Sequence, residues 1–239
     1  MRSGWFWGTE MWADYLAEYA EHHPECLHEF RTSPLDPEHE LYFDFPSEST
    51  DRRVSQEESV AQAQFKGQWD VSHHQSQVID LHTHQWSDLR KSYHALIHRA
   101  EERYRFEVVS DCTMYKSLHI LANGFQPRNN MTYEFQRRWL DLGCGIMVGA
   151  MDRETDACVA IAYWILYEGH AYYASGPSTM ANVMHAVLWH SFKILKARGI
   201  HLVELGQVDG ATEKERNIGK FKAGFGGESV PFTIVRRTT

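Results

Sequence analysis

The stretch that decides the fold lies at residues 170–207 and reads HAYYASGPSTMANVMHAVLWHSFKILKARGIHLVELGQ. Its first part, Ala171–Ser175, has the composition of a short strand, and apolar residues at helical spacing predict an amphipathic helix from Met180 to Arg198. Gly199 then ends the helix and leads into an apolar strand, His201–Leu205. This strand–helix–strand unit is typical of a sheet with helices packed against it.

Further strands and helices extend the pattern on both sides of this unit. From Phe106 onward the predicted order is β-α-α-β-β-β-α-β-α-β. Before it, a strand is predicted at Val78–Leu81, and Ser87 is predicted to cap a helix that runs to Ala100. The fold class is therefore α/β (α+β), with a mixed central sheet of about six to seven strands and helices on both faces.

Charge divides the chain into two parts. Of the formal charge of -8, residues 1–60 carry fourteen acidic and four basic side chains, hence -10, which leaves +2 for the rest. Residues 8–22 predict one helix, and residues 31–60 have the composition of a loop or linker. We expect an acidic N-terminal extension at 1–77, partly loop, and a single domain at 78–239.

Composition also limits the location and the partners of the protein. The longest apolar run, Ala157–Leu166, is shorter than the roughly 20 residues that span a bilayer, and the N-terminus lacks a signal-peptide pattern. The four cysteines have no metal or redox spacing. We therefore expect a cytoplasmic protein without a membrane span. Net acidity does not favour general binding to nucleic acid, although a mildly basic body suits a phosphate-bearing donor.

Four motifs then follow one another within residues 78–237. They are a basic helix at Leu89–Ala100, Tyr172–Gly176 followed by His185–Trp189, the tripeptide Glu204-Leu205-Gly206, and the run Lys220–Gly227. This ordered set resembles the GNAT-like half of the Fem-type (FemABX-like) peptidyltransferases and the related GNAT acetyltransferases. The resemblance implies a GNAT fold and an enzyme that transfers an acyl group to an amine.

Three functions remain open from the resemblance. The first is an N-acyltransferase that moves an acetyl group from acetyl-CoA to a small-molecule or nucleotide-type amine. The second is a Fem-type transferase that uses aminoacyl-tRNA, and the third is a GNAT-fold binding module without catalysis. Two departures bear on the choice. Fem-type enzymes usually carry two such domains, whereas one is expected here. The pyrophosphate-binding turn of CoA-dependent enzymes is replaced by the segment Gly176–Asn182.

The catalytic candidates are Lys222, Glu204, His185, Asp209 and Tyr173. Lys222 would hold a donor phosphate or stabilise the charge that develops on the acyl carbonyl. Glu204, at the end of a strand, and Asp209, in the following loop, would accept the proton of the amine, as would His185. Tyr173 would protonate the leaving group or orient the substrate.

The cofactor-binding candidates are Ser175, Gly176, Ser178 and Lys220. Gly176 would bend the chain, Ser178 or Thr179 would cap the following helix, and Lys220 would contact a phosphate. The fifteen histidines do not form a convincing metal site, because the densest pairs, His73-His74 and His82-x-His84, fall in a predicted loop without further ligands at suitable spacing. No metal is therefore expected.

Overall fold

The computed structural model of the chain describes residues 29–31 and 69–237. Two compact units divide these residues. The first contains residues 29–31, 69–76 and 230–237, and the second is Gln77–Ser229. The predicted helix at 8–22 and most of the predicted linker at 31–60 lie outside the described residues.

The second unit contains the predicted mixed sheet. Its helices are α1 (Lys91–Arg103), α2 (Cys112–Asn123), α3 (Asn130–Asp141), α4 (Val183–Ala197) and α5 (Glu213–Ala223). The strands of the described residues are β1 (Glu29–Arg31), β2 (Trp69–Asp80), β3 (Tyr104–Val109), β4 (Gly145–Asp152), β5 (Cys158–Tyr167), β6 (His170–Ser175), β7 (Leu202–Gln207) and β8 (Glu228–Arg237). From β3 onward this is the predicted order of elements, which is therefore confirmed.

The strands that lie wholly within the second unit are hydrogen-bonded in the order β7-β6-β5-β4-β3. Strands β3 to β6 pair antiparallel, whereas β6 and β7 run parallel and are joined through α4. In the first unit β1 pairs antiparallel with β8, and β8 is hydrogen-bonded to β2. Sequence reasoning missed β1, whose three residues are too few to show a period.

Helices cover both faces of the sheet in the second unit. On one face α1 and α4 pack over a core in which Ala160 and Ala162 of β5 leave room for the helices and Trp164 fills the centre. On the other face α2 and α3 pack over β4 and β5, where the rings of Tyr115 and Tyr163 lie 5.7 Å apart. Since successive strand residues point to opposite faces, this division fixes which side chains share a face at the strand ends.

Three local predictions are wrong. Ser87 does not cap α1, because Gln85 and Asp88 close a capping box around a separate 3₁₀ turn, Trp86–Asp88, and α1 begins after Arg90. His73 and His74 lie in β2 and not in a loop, since that strand begins at Trp69. Ser178 and Thr179 do not cap α4, which begins after Asn182, a residue in the left-handed conformation with φ of 64°.

The helix that carries Lys222 starts at a well-formed cap. The Thr212 hydroxyl accepts from the Glu215 backbone N–H at 3.2 Å, and the Glu215 carboxylate accepts from the Thr212 N–H at 2.9 Å. We expect Thr212→Ala to lower the free energy of unfolding by about 1 kcal/mol, because the substitution leaves an N-terminal donor of α5 without its partner. Urea unfolding measures this. Thr113→Ala, an exposed threonine in α2, is the control, and equal losses in both variants would contradict the role of the cap.

Candidate active site

Strands β6 and β7 separate at their carboxyl ends. Their register pairs end at Tyr172 and Glu204, although β6 continues to Ser175 and β7 to Gln207, so the last three residues of each strand are outside the paired register. Parallel strands that part in this way leave main-chain groups and side chains of both strands facing one crevice. The catalytic candidates Glu204 and Lys222 were predicted to lie near these strand ends.

Lys222 lies at the end of β7. Its ammonium donates to the Gln207 carbonyl oxygen at 3.0 Å. A Cβ added at Gly206, where φ is +81°, would lie 3.3 Å from both the Lys222 Nζ atom and the Tyr172 hydroxyl. The glycine therefore admits the backbone conformation and the close approach of both groups. A cation and a phenol thus both lie beside Gly206, where the strands separate.

Glu204 faces the same side of the sheet as Tyr172. Val203 and Leu205 belong to the core beneath α1 and α4, so the carboxylate between them points to the opposite face, and the residue is 1% exposed. Asp209 follows in the loop after β7, where its backbone carbonyl accepts from the Gln207 side-chain amide at 2.6 Å. Of the two carboxylates, Glu204 is the one held inside the sheet.

His185 lies in the first turn of α4 within a cluster of aromatic rings. Its centroid is 4.3 Å from that of Tyr93 and 5.0 Å from that of Phe221. Nδ1 lies 2.8 Å from the Asn182 carbonyl oxygen, which only accepts, so Nδ1 carries the proton and Nε2 is the acceptor nitrogen of the neutral ring. Burial lowers the pKa of His185 and Arg90 lowers it further, while the bond to Asn182 opposes both. The ring packs with Tyr93 of α1, on the face opposite to Glu204.

Tyr173 and Gly176 form one close contact. A methyl group at position 176 would overlap the Tyr173 hydroxyl, so glycine is needed where the chain leaves β6. Burial raises the pKa of Tyr173 well above its ordinary value, and its ring lies 5.3 Å from that of Trp164 in the core beneath α4. This placement keeps the hydroxyl protonated and against the turn, where it holds the end of β6.

The segment after Gly176 runs back along β5. The Ile161 N–H donates to the Pro177 carbonyl at 3.1 Å, the Thr179 N–H donates to the Val159 carbonyl at 3.0 Å, and Ser178 forms a bridge with Ala160. The Ser178 hydroxyl donates to the Met180 carbonyl at 2.7 Å. Of the backbone donors of this segment, the Thr179 N–H is thus used in pairing with β5 and the Met180 N–H donates to the Ser178 hydroxyl, so neither is available to cradle a pyrophosphate. Lys220 is exposed on α5, and its carbonyl accepts from Arg90 at 3.2 Å.

A polar network beside the end of β6 escaped sequence reasoning. Ser175 bonds to the Tyr115 side chain, and the Gln136 amide lies 3.4 Å from the Tyr115 hydroxyl. Arg128, in the loop between α2 and α3, donates to the Ala174 carbonyl at 3.5 Å. Within that loop, the Gln126 side-chain amide donates to the Arg128 carbonyl oxygen at 2.8 Å. No local sequence signal marks Arg128, because only the return of the α2–α3 loop to β6 brings it there.

His119, in the same network, makes stability depend on pH. It is 8% exposed, and burial together with the charge of Arg128 lowers its pKa from 6.5 to about 4. The unfolded chain therefore binds the proton more strongly, so the contribution of this residue is complete above about pH 6.5 and falls as the pH is lowered toward 4.

We expect His119→Gln to reduce the loss of unfolding free energy between pH 6.5 and pH 4, measured by urea titrations at several pH values. His98→Gln, at a histidine whose side chain is 67% exposed, is the control and is expected to keep the slope. An unchanged slope in His119→Gln would show that the buried histidine does not titrate in this way.

Other features of the described part of the chain lie apart from the strand ends. A cavity of about 540 Å³ is lined by Glu213, Lys214, Asn217, Ile218 and Phe221 of α5, none of which is a candidate. Across residues 29–31 and 69–237, histidine, cysteine and carboxylate side chains nowhere gather in threes that would hold a metal ion. None of the helices in these ranges combines the length and apolarity needed to cross a bilayer.

Comparisons with solved structures identify proteins of the same fold. L-PGS of Bacillus licheniformis matches with a TM-score of 0.55 and 15% identity, over 72% of this chain and 63% of its own, so the chain spans less than two thirds of that protein. The C-terminal domain of a protein described as a lysylphosphatidylglycerol synthetase from Agrobacterium fabrum gives 0.57 and 11% over 97% and 75%. FemX gives 0.55 and 12% over 92% and 75%.

No sequence-family model matches the chain, and no curated protein matches it by sequence. The likeness is therefore one of structure. It agrees with the order of elements, with the parallel pair β6–β7 and with the separation of these strands at their carboxyl ends. The chain has the GNAT fold, which it shares with FemX, with L-PGS and with the C-terminal domain from Agrobacterium fabrum.

Proposed function

We propose that the chain is an acyltransferase that moves an acyl group from an activated ester to an amine. The observation that carries the proposal is the position of Lys222. Its ammonium lies where β6 and β7 separate, next to the Tyr172 hydroxyl and above a glycine that leaves room for both. A fixed cation at a crevice with main-chain donors suits an acyl carbonyl that gains negative charge during the reaction.

The reaction forms one bond and breaks another. The amine nitrogen attacks the carbonyl carbon of the thioester or ester, and a tetrahedral intermediate with a negatively charged oxygen results. Lys222 and backbone N–H groups at the strand ends stabilise that oxygen. Collapse of the intermediate forms the amide and expels the thiolate or alkoxide, which takes up the proton that the amine has released. Holding both substrates in one crevice supplies a large part of the rate.

The proton of the amine passes to Glu204, directly or through a water molecule. This carboxylate shares the face of Tyr172 and lies at the last register pair of the two strands. Asp209 is the second candidate, in the loop beyond β7. His185 and Tyr173 act by position in this scheme: His185 packs on Phe221, the neighbour of Lys222, and Tyr173 fixes the turn at Gly176.

One observation favours an aminoacyl ester over acetyl-CoA as the donor. The segment that would cradle the CoA pyrophosphate pairs with β5 through Pro177 and Thr179, and Ser178 bonds to Met180. The fold is shared with FemX and with the C-terminal domain of a protein described as a lysylphosphatidylglycerol synthetase. The resemblance to Fem-type enzymes implies aminoacyl-tRNA as that donor. The cofactor-binding candidates would contact the donor only if the donor is acetyl-CoA. They are Ser175, Gly176, Ser178 and Lys220.

Thermal unfolding separates the two donors. A ligand present at 100 times its dissociation constant stabilises the native state by about 2.7 kcal/mol, which raises the midpoint of a chain of this size by roughly 5 to 10 °C. We expect a rise of this size with a non-hydrolysable aminoacyl-adenosine amide and a smaller rise with acetyl-CoA. The reverse order would make acetyl-CoA the donor, and no rise with either compound would contradict the proposed donor site.

A further inference from the structure

Two cations lie at the amino end of α3 without a carboxylate partner. Arg128 is half-buried, and its guanidinium makes a long hydrogen bond of 3.5 Å to the Ala174 carbonyl. The Lys116 ammonium donates to the Asn130 side-chain oxygen at 2.8 Å and lies 5.6 Å from the centroid of the Tyr133 ring. Among the ion pairs of the described residues, neither cation takes part.

Within the described residues, no aspartate or glutamate pairs with either cation. Helix α3 begins at Asn130, two residues after Arg128, and its first turn has no acidic residue, so its positive dipole end adds to the two cations. Arg128 acts electrostatically on three titratable groups, Tyr115, Tyr133 and His119. All three are neutral at pH 7, since burial raises the pKa of both phenols and lowers that of the imidazole. A half-buried guanidinium is balanced best by an anion.

The position of Arg128 relates it to the reaction crevice. Ala174 follows Tyr172 by two residues on β6, and a strand rises about 3.3 Å per residue, so the contact of Arg128 lies roughly 7 Å along the strand from Tyr172. The Tyr172 hydroxyl and the Lys222 ammonium both lie beside Gly206. We infer that one substrate can place an anionic group at Arg128 and its amine near Lys222.

We propose that Arg128, Lys116 and the amino end of α3 form a binding subsite for an oxyanion, and that the oxyanion is the carboxylate or phosphate of the amine acceptor. The planar guanidinium binds such groups through two parallel hydrogen bonds, and the lysine adds a point charge. The assignment to the acceptor rests on the proposed function, whereas the binding of the anion does not. The acceptor is accordingly an amino acid, a peptide with a free carboxylate or a phosphorylated amine.

Side-chain NMR tests the subsite in the intact chain. The Nε–Hε signal of Arg128 is followed while sodium acetate, inorganic phosphate or sodium chloride is added at equal ionic strength. We expect a saturable shift of this signal with acetate or with phosphate. Saturation by acetate would indicate a carboxylate on the acceptor, and saturation by phosphate would indicate a phosphate. Chloride is expected to give only a small linear drift. A signal that follows all three salts alike would overturn the proposal.

Variants localise the effect. Arg128→Lys keeps the positive charge but loses the planar guanidinium, which binds an oxyanion through two hydrogen bonds. We therefore expect the dissociation constant of the variant for the saturating anion to rise at least about tenfold. Arg137→Gln is the matched control, because Arg137 is exposed and pairs with Asp141 at 2.8 Å on the same helix. Equal affinity in Arg128→Lys and wild type would overturn the proposal. A chain that binds the anion yet transfers no acyl group would instead contradict the proposed function and leave the subsite intact.

Discussion

Replacing Lys222 with alanine is expected to lower the rate of acyl transfer by about 10² to 10³, the loss typical when one donor to a developing oxyanion is removed. The ammonium lies at the end of β7, 3.0 Å from the Gln207 carbonyl oxygen and next to the Tyr172 hydroxyl. If it acts on the transition state, kcat and kcat/KM fall together, because the lost interaction is absent from the substrate complex.

Lys214→Ala is the matched control for this substitution. Lys214 is exposed in the first turn of the same helix, away from the strand ends, and its loss is expected to leave transfer within about twofold of wild type. Both variants are to be compared at matched stability, measured by urea unfolding. A Lys222→Ala variant that keeps full kcat would remove the lysine from the mechanism, and a rise of KM alone would reduce its role to donor binding.

Replacing Gly219 with alanine is expected to destabilise the fold by about 2 to 3 kcal/mol, the size of effect seen when an atom is forced into a filled space. A methyl group at this position of α5 would overlap the Val208 carbonyl group, which is backbone and cannot rotate away. Gly219 is the buried residue of α5, where the helix lies against the chain that leaves β7. To relieve the overlap, α5 must move, and Lys222 moves with it.

The consequence for activity separates this variant from an ordinary loss of stability. At a temperature where Gly219→Ala is still folded, we expect a transfer rate reduced at least about tenfold, because displacement of a catalytic group by 1 Å is costly. Asn217→Ala, exposed on the same helix, has no such neighbour and favours helix, so it is expected to leave both quantities unchanged or slightly improved. Unaltered stability in Gly219→Ala would show that α5 does not lie this close to Val208.

Periodicity predicted the fold well where elements are long and amphipathic. The helix from Met180 to Arg198 and the helix from Glu213 to Ala223 were found with small errors at the ends, and the order of elements from Phe106 onward was correct. The first residue of α4 was predicted too early. The helix begins after Asn182, which has a left-handed backbone conformation and makes no capping hydrogen bond with its side chain. Serine is a common helix cap, but Ser178 does not cap α4 because its backbone forms a bridge with β5.

The site was only partly predictable, since it depends on contacts between distant segments. Glu204 and Lys222 were named from motifs at the end of one strand and one helix, and both lie by the separating strands. Arg128 gave no signal, because a lone arginine in a loop resembles any solvated one. Its contact with Ala174, 46 residues away, exists only after α2 and α3 have packed on the sheet. Likewise, the sequence could not show that His185 packs among aromatic rings.

Whether the chain is an acyltransferase is tested by measuring transfer itself, with hydroxylamine as a small amine acceptor that needs no binding site of its own. Purified chain is incubated with a labelled aminoacyl ester, in the form of aminoacyl-tRNA, or with labelled acetyl-CoA, and the hydroxamate is quantified. We expect wild type to form hydroxamate from at least one donor well above the uncatalysed rate, and Lys222→Ala to lose most of this activity. No enzyme-dependent product from either donor, or equal product from Lys222→Ala, would contradict this expectation.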